Sequence, residues 1–102
     1  MKGPLERDVQ RSIVDYLELR RHFFWRNNSG AFKAQHGGFI RFGTPGSPDI
    51  IVVHVGRPYF LEVKRKGTYQ SPEQREFQSK AESAGALYAV VRSIDDVQAL
   101  GL

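Results

Sequence analysis

The sequence predicts an α/β domain, a mixed sheet flanked by helices, on three observations. Ile50-Ile51-Val52-Val53 is a run of four β-branched residues with no polar alternation, the mark of a strand covered on both faces. Tyr59–Lys64 reads as a second strand, followed by a helical segment opening at Ser71-Pro72 and by a further strand at Leu87–Val91, an order that calls for a parallel crossover. The 102 residues suit a single domain, 1–102, and a core forms at this length without the staples needed below roughly 40 residues.

The elements follow in order. Residues 4 to 22 read as a helix: Pro4 suits its first turn, and Leu5, Val9, Ile13, Tyr16 and Leu17 share one stripe. At about 100° per residue that stripe is an arc of roughly 120°. Glu6 falls inside the arc, a carboxylate where an apolar residue is expected, and its ordinary explanation is a first-turn acid favoured by the helix dipole. Residues 23 to 47 run from the aromatic cluster Phe23-Phe24-Trp25 through a polar stretch to Gly37-Gly38 and Gly43-Thr44-Pro45-Gly46. They read as a functional loop, with Phe39-Ile40-Arg41-Phe42 as a strand embedded in it.

Ile50–Val53 and Tyr59–Lys64 then form an antiparallel hairpin about a turn at Gly56-Arg57. Ser71 is an N-cap, Pro72 takes the first helical position, and Gln74 completes a capping box in a helix that should stop near Gly85. After the strand Leu87–Val91, Ser93–Leu100 is a short last helix with Asp95 and Asp96 in its first turn. The expected order is α, β, β, β, α, β, α.

Composition narrows the function. With no cysteine, disulfide scaffolds, zinc ribbons and thiol nucleophiles are excluded. Hydrophobic residues at 40% and aromatics at 12% argue against disorder. No apolar run approaches the roughly 18 residues of a membrane span, and Met1-Lys2-Gly3-Pro4-Leu5-Glu6 lacks a signal-peptide core, so a soluble intracellular protein is expected. The net charge of +4 favours a polyanionic partner, although a charged site or a solvated face would give the same number.

Carboxylates at strand ends are what a magnesium site needs, and Asp49, Glu62 and Glu6 are the candidates. Glu62 and Lys64 are two apart on one strand and share a face. A two-residue loop at Gly56-Arg57 would pair Val53 with Phe60, Ile51 with Glu62 and Asp49 with Lys64, leaving Asp49 diagonal to Glu62 on that face. A Pro-Asp followed by an acidic-x-Lys arises by chance in about 5% of chains this long. The bland alternative is a cross-strand contact of Lys64 with Asp49 beside an exposed Glu62.

Pro48-Asp49 followed by Glu62-Val63-Lys64 resembles the PD-(D/E)xK signature of restriction-endonuclease-like nucleases. With Glu6 in an opening helix, Gly43-Thr44-Pro45-Gly46-Ser47-Pro48-Asp49, Ser71-Pro72-Glu73-Gln74 and Val90-Val91-Arg92-Ser93, nearly the whole chain resembles the VRR-NUC (virus-type replication-repair nuclease) family. Ser47 stands where that family often has an aliphatic residue and Gln70 where it often has Leu.

The resemblance implies a restriction-endonuclease-like α-β-β-β-α-β core and a Mg²⁺- or Mn²⁺-dependent deoxyribonuclease. Asp49 and Glu62 would be metal ligands, with the Val63 carbonyl as a further one and Glu6 binding directly or through water. Lys64 would lie near the attacking water and Gln74 at the site, where its capping role stands equally open. It further implies branched DNA such as Holliday junctions as substrate, a role in DNA repair, a homodimer, and a cytoplasmic or nucleoid-associated protein encoded by a bacterium or phage. Arg26, Lys33, Arg41, Arg65 and Lys66 are candidate phosphate contacts, some of which will be solvated surface charge. His22, His36 and His54 lack metal-ligand spacing, and Phe23-Phe24-Trp25 suits core or dimer packing better than base stacking. The rival reading is a non-catalytic nucleic-acid-binding module with the same fold.

Overall fold

A computed structural model describes residues 3–27 and 30–102, with the backbone alone at 30–32 and 40–42. Helix α1 spans Glu6–Leu19 and buries Val9, Ile13, Val14 and Leu17, with Tyr16 half-buried, as the helical spacing requires. The helix is shorter than the expected 4–22. Leu5 is its N-cap in extended conformation and stays 43% exposed, so it drops out of the buried stripe. At the other end Arg21 adopts a left-handed conformation (φ 59°), which turns the chain out of the helix.

Strands β1 (Phe23–Arg26), β4 (Ile50–His54), β5 (Arg57–Val63) and β6 (Leu87–Val91) form a mixed sheet in the order β1-β4-β5-β6. β1 and β5 both pair antiparallel with β4, and β6 pairs parallel with β5. Strands β2 (Gly30–Lys33) and β3 (Phe39–Phe42) form a separate antiparallel pair. The strand expected at Phe39–Phe42 is therefore outside the main sheet, and the aromatic triplet supplies the sheet's first strand instead. Phe24 packs against the core while Phe23 and Trp25, on either side of it, are exposed, which is strand alternation compressed into three residues.

The hairpin between β4 and β5 turns at Val55-Gly56, not at Gly56-Arg57. Both turn residues have positive φ, 49° and 75°, as a two-residue turn matched to strand twist demands. Arg57 is consequently in the ladder opposite His54, and Val53 faces Pro58 rather than Phe60. The register thus differs by two residues from the expected one. An even slip leaves every side chain on its own face.

One face of the sheet carries Ile50, Val52, Leu61, Val63 and Val91 into a core closed by α1, by Val97 of helix α3 (Ile94–Gln98) and by Leu102. The other face is covered over β5 and β6 by helix α2 (Pro72–Ser83), whose Phe77 ring meets Phe60 at 5.5 Å and Tyr88 at 6.3 Å between centroids. The expected capping box is present: Ser71 Oγ accepts from the Gln74 amide at 3.2 Å, and Gln74 Oε1 accepts from the Ser71 amide at 2.9 Å. Among the described residues no helix is long and apolar enough to cross a membrane.

Candidate active site

Asp49 stands one residue before β4, on the side of the sheet away from α1. With the register of β4 and β5, its level on the neighbouring strand is that of Glu62, not Lys64. Here the ladder is taken over by the carboxylate: Asp49 Oδ2 accepts from the Val63 amide at 2.7 Å, while the Asp49 amide donates to the Leu61 carbonyl at 3.1 Å. The Asp49 side chain thereby satisfies a backbone donor that β4 no longer reaches.

The approach to Asp49 is braced from two directions. The Asn27 amide donates to the Asp49 carbonyl at 2.8 Å, and Asn27 Nδ2 donates to Ser47 Oγ and the Pro48 carbonyl, both at 3.0 Å. Gly46 (φ 75°) lies so close to the start of α2 that a Cβ there would meet the Glu73 carbonyl. Ser47 is thus an acceptor in this brace. Sequence reasoning missed Asn27, because a single Asn in a polar stretch carries no signal without its partners.

Glu62 is only 3% exposed, against the bland expectation of a surface residue. Its Oε1 accepts from Gln74 Nε2 at 3.0 Å and lies 3.9 Å from Lys64 Nζ. Its Oε2 is buried and accepts from no donor among the described residues, so the hydrogen bond that Glu62 shares with Asp49 exists only while one of the two carboxyls holds a proton. Burial pushes the carboxyl up to about 9, the charge of Asp49 and a hydrogen bond shared with it push the same way, and Lys64 opposes them. Glu6 contributes the smallest of these influences.

The structure therefore brings together Asp49, Glu62, Lys64 and Gln74, with the Val63 backbone bonded to Asp49. Glu6 is exposed on the first turn of α1 and acts on Glu62 through space. No group of three His, Cys, Asp or Glu side chains among the described residues is arranged to hold an ion, so Glu6 does not stand as a third direct carboxylate beside Asp49 and Glu62. Tyr88 is a residue the sequence did not single out. Its hydroxyl is buried, and burial pushes the phenol up to about 12, opposed by the neighbouring Gln70 and helped by the charges of Glu62 and Asp49.

The expected phosphate contacts are spread around this centre. Arg26 and Lys33 are exposed at the ends of β1 and β2, and Lys66 is exposed just beyond β5. Arg65 is half-buried, with Nη2 3.4 Å from the Gly3 carbonyl. The side chain of Arg41 lies outside the described residues. His22 and His54 meet edge to face at 5.3 Å, and His54 meets Tyr59 at 6.0 Å, an aromatic cluster at the far end of β4 from Asp49.

No protein-family model matches the chain, and no curated protein or solved structure matches it significantly. The chemistry of the donors must speak for itself. Two carboxylates are hard oxygen donors, and a buried carboxylate oxygen without a donor is a group that a cation satisfies. Mg²⁺ is usually held by one or two carboxylates, the rest of its shell being water and phosphate, so the residues present fit it.

Proposed function

We propose that the protein is a Mg²⁺- or Mn²⁺-dependent nuclease that hydrolyses DNA phosphodiester bonds, in keeping with its resemblance to the VRR-NUC family. The observation that carries this reading is the pair of carboxyls, half-buried Asp49 and buried Glu62, with no donor reaching Glu62 Oε2 among the described residues. A purely structural carboxylate at 3% exposure is expected to have donors on both oxygens, since an unpartnered buried polar atom costs about 1–3 kcal/mol.

Asp49, Glu62 and the Val63 carbonyl would hold the ion. When bound, it polarises the scissile phosphate and makes water a stronger nucleophile at neutral pH. The chain's own groups prepare that chemistry. Gln74 and Lys64 hold Glu62 by one oxygen and leave the other without a donor, while Asn27 and the Val63 amide hold Asp49. Lys64, 14% exposed, supplies a cation at the edge of the cluster that neutralises developing charge or assists deprotonation of the nucleophile.

Branched DNA, including Holliday junctions, is the substrate class the resemblance favours. One such cluster per chain cuts one strand, so paired cuts need a second copy. The test is a panel of linear, flapped, forked and four-way substrates with Mg²⁺ or Mn²⁺, using the wild type, Asp49→Asn and Glu62→Gln. Metal-dependent cleavage lost in both variants is the expected result. Binding without cleavage by the wild type, under every metal, would leave the non-catalytic module instead.

A further inference from the structure

Phe23 and Trp25 share the outer face of β1, with ring centroids 5.8 Å apart and planes tilted by 54°. They are 70% and 44% exposed, although they belong to the main sheet. Trp25 pairs with Ile51 and Phe23 with Val53, so both lie on the sheet face that carries Asp49 and Glu62. The same strand runs directly into Asn27, whose amide holds the Asp49 carbonyl. At about 3.3 Å per residue, Trp25 is about 7 Å along the strand from the level of Asp49, a reach of one or two nucleotides.

Two occupants suit exposed aromatics: a second protein surface or nucleic-acid bases. Taking 150–250 Å² per aromatic side chain, the exposed parts of the two rings come to roughly 250 Å², well below the ~800 Å² that each partner gives to a stable interface. Bases need no such area, because each stacks on one ring face.

We propose that Phe23 and Trp25 form a stacking platform for unpaired bases beside the scissile phosphate, which makes the substrate DNA with a single-stranded segment adjoining the cut, such as a flap or fork. The inference rests on the nuclease reading for the position of the cut, but the stacking itself is measurable without cleavage. Trp25 is the single tryptophan of the chain, so its emission reports the platform directly.

The experiment titrates the protein, in EDTA, with a flapped duplex and with a blunt duplex of equal length, following tryptophan fluorescence and anisotropy of a labelled DNA. The flap is expected to quench Trp25 and the blunt duplex to leave it unchanged. Phe23→Leu combined with Trp25→Leu should weaken flap binding roughly tenfold or more, with blunt-duplex binding unaltered. Phe23→Leu alone keeps the reporter, and Trp25→Phe keeps an aromatic face and most of the affinity. Equal quenching by both DNAs, or unchanged flap affinity in the double variant, overturns the platform. So does a dimer in light scattering that the double variant converts to monomer, since the face would then be an interface between copies. Quenching by flaps without cleavage under Mg²⁺ or Mn²⁺ would sink the nuclease reading and leave the platform standing, whereas flap-specific cleavage without quenching would do the reverse.

Discussion

Gln74 ties the start of α2 to Glu62 with a single amide: Oε1 accepts from the Ser71 backbone at 2.9 Å and Nε2 donates to Glu62 Oε1 at 3.0 Å. The capping box fixes which end of the amide faces the helix, and so delivers the donor end to the carboxylate. Capping and site roles are thus one geometry. Gln74→Glu keeps an acceptor for the cap but sets a carboxylate against Glu62, whereas Gln74→Leu loses both bonds. The expected outcome is a fall in cleavage of at least tenfold in both variants, with an additional loss of about 1 kcal/mol of stability in Gln74→Leu relative to Gln74→Glu at pH 5. Urea unfolding and single-turnover cleavage check the two halves.

What was legible in the sequence is what local chemistry decides. The capping box at Ser71 and Gln74 depends on residues three apart, and the shared face of Glu62 and Lys64 on residues two apart; both are as expected. The hairpin register was not legible, because Val55, a β-branched residue, occupies a left-handed turn position where Gly, Asn or Asp is the usual signal. The parity that joins Asp49 to Glu62 survived only because the difference was two residues. Nor could the sequence show that Asn27 braces Asp49 across 22 positions, or that Glu62 has a free buried oxygen. These depend on how strands meet, which single-residue preferences do not encode.

The raised carboxyl of Glu62 makes the metal-free protein sensitive to alkali. The folded state holds a proton up to about pH 9 that the unfolded chain releases near the ordinary value of 4.5. Stability from this group is therefore complete below pH 4.5 and is lost as pH rises toward 9, at up to about 1.4 kcal/mol per pH unit. Glu62→Gln should remove the slope and raise stability at pH 8. Mg²⁺ should stabilise the wild type most at high pH and the variant little. Urea midpoints between pH 6 and 9 in EDTA and in Mg²⁺ measure all of this; a wild type and variant with parallel profiles would refute it.

The nuclease reading also makes DNA binding depend on the charge of the cluster. Asp49 repels phosphate until a cation intervenes, and Glu62, which keeps its proton up to about pH 9 without metal, adds repulsion only once ionised. Asp49→Asn or Glu62→Gln should abolish cleavage while DNA binding in EDTA becomes equal or tighter, by anisotropy at fixed salt. Weaker binding in both variants would contradict this account of the cluster.

Gly46 sets how closely the loop before Asp49 approaches α2. Its φ of 75° and the Glu73 carbonyl in the path of any Cβ oppose a side chain twice over. Gly46→Ala should cost about 1–3 kcal/mol of stability and reduce cleavage more than Gly67→Ala, whose Cβ meets nothing within 4 Å but whose φ of 85° carries the same backbone strain. The difference between the two variants isolates the contact from the conformation.

Lys64 gives the last test, because its two possible contributions part on substitution. Its Nζ lies 3.9 Å from Glu62 Oε1 and its side chain is 14% exposed, so it is a cation facing the cluster from its rim. Lys64→Met removes one positive charge from beside two carboxylates, which leaves cation affinity unchanged or tighter, while the chemical step should slow by about 10²–10⁴-fold if the ammonium takes part in proton transfer. Lys64→Arg restores the charge but not the chemistry, since a guanidinium does not give up its proton near neutral pH. Partial rescue by Arg is expected, with a single-turnover rate between those of Met and the wild type. Metal titrations followed by Trp25 fluorescence or calorimetry separate binding from chemistry in the same variants. Full rescue by Arg would assign Lys64 to electrostatic stabilisation alone, and wild-type rates in Lys64→Met would remove it from the reaction.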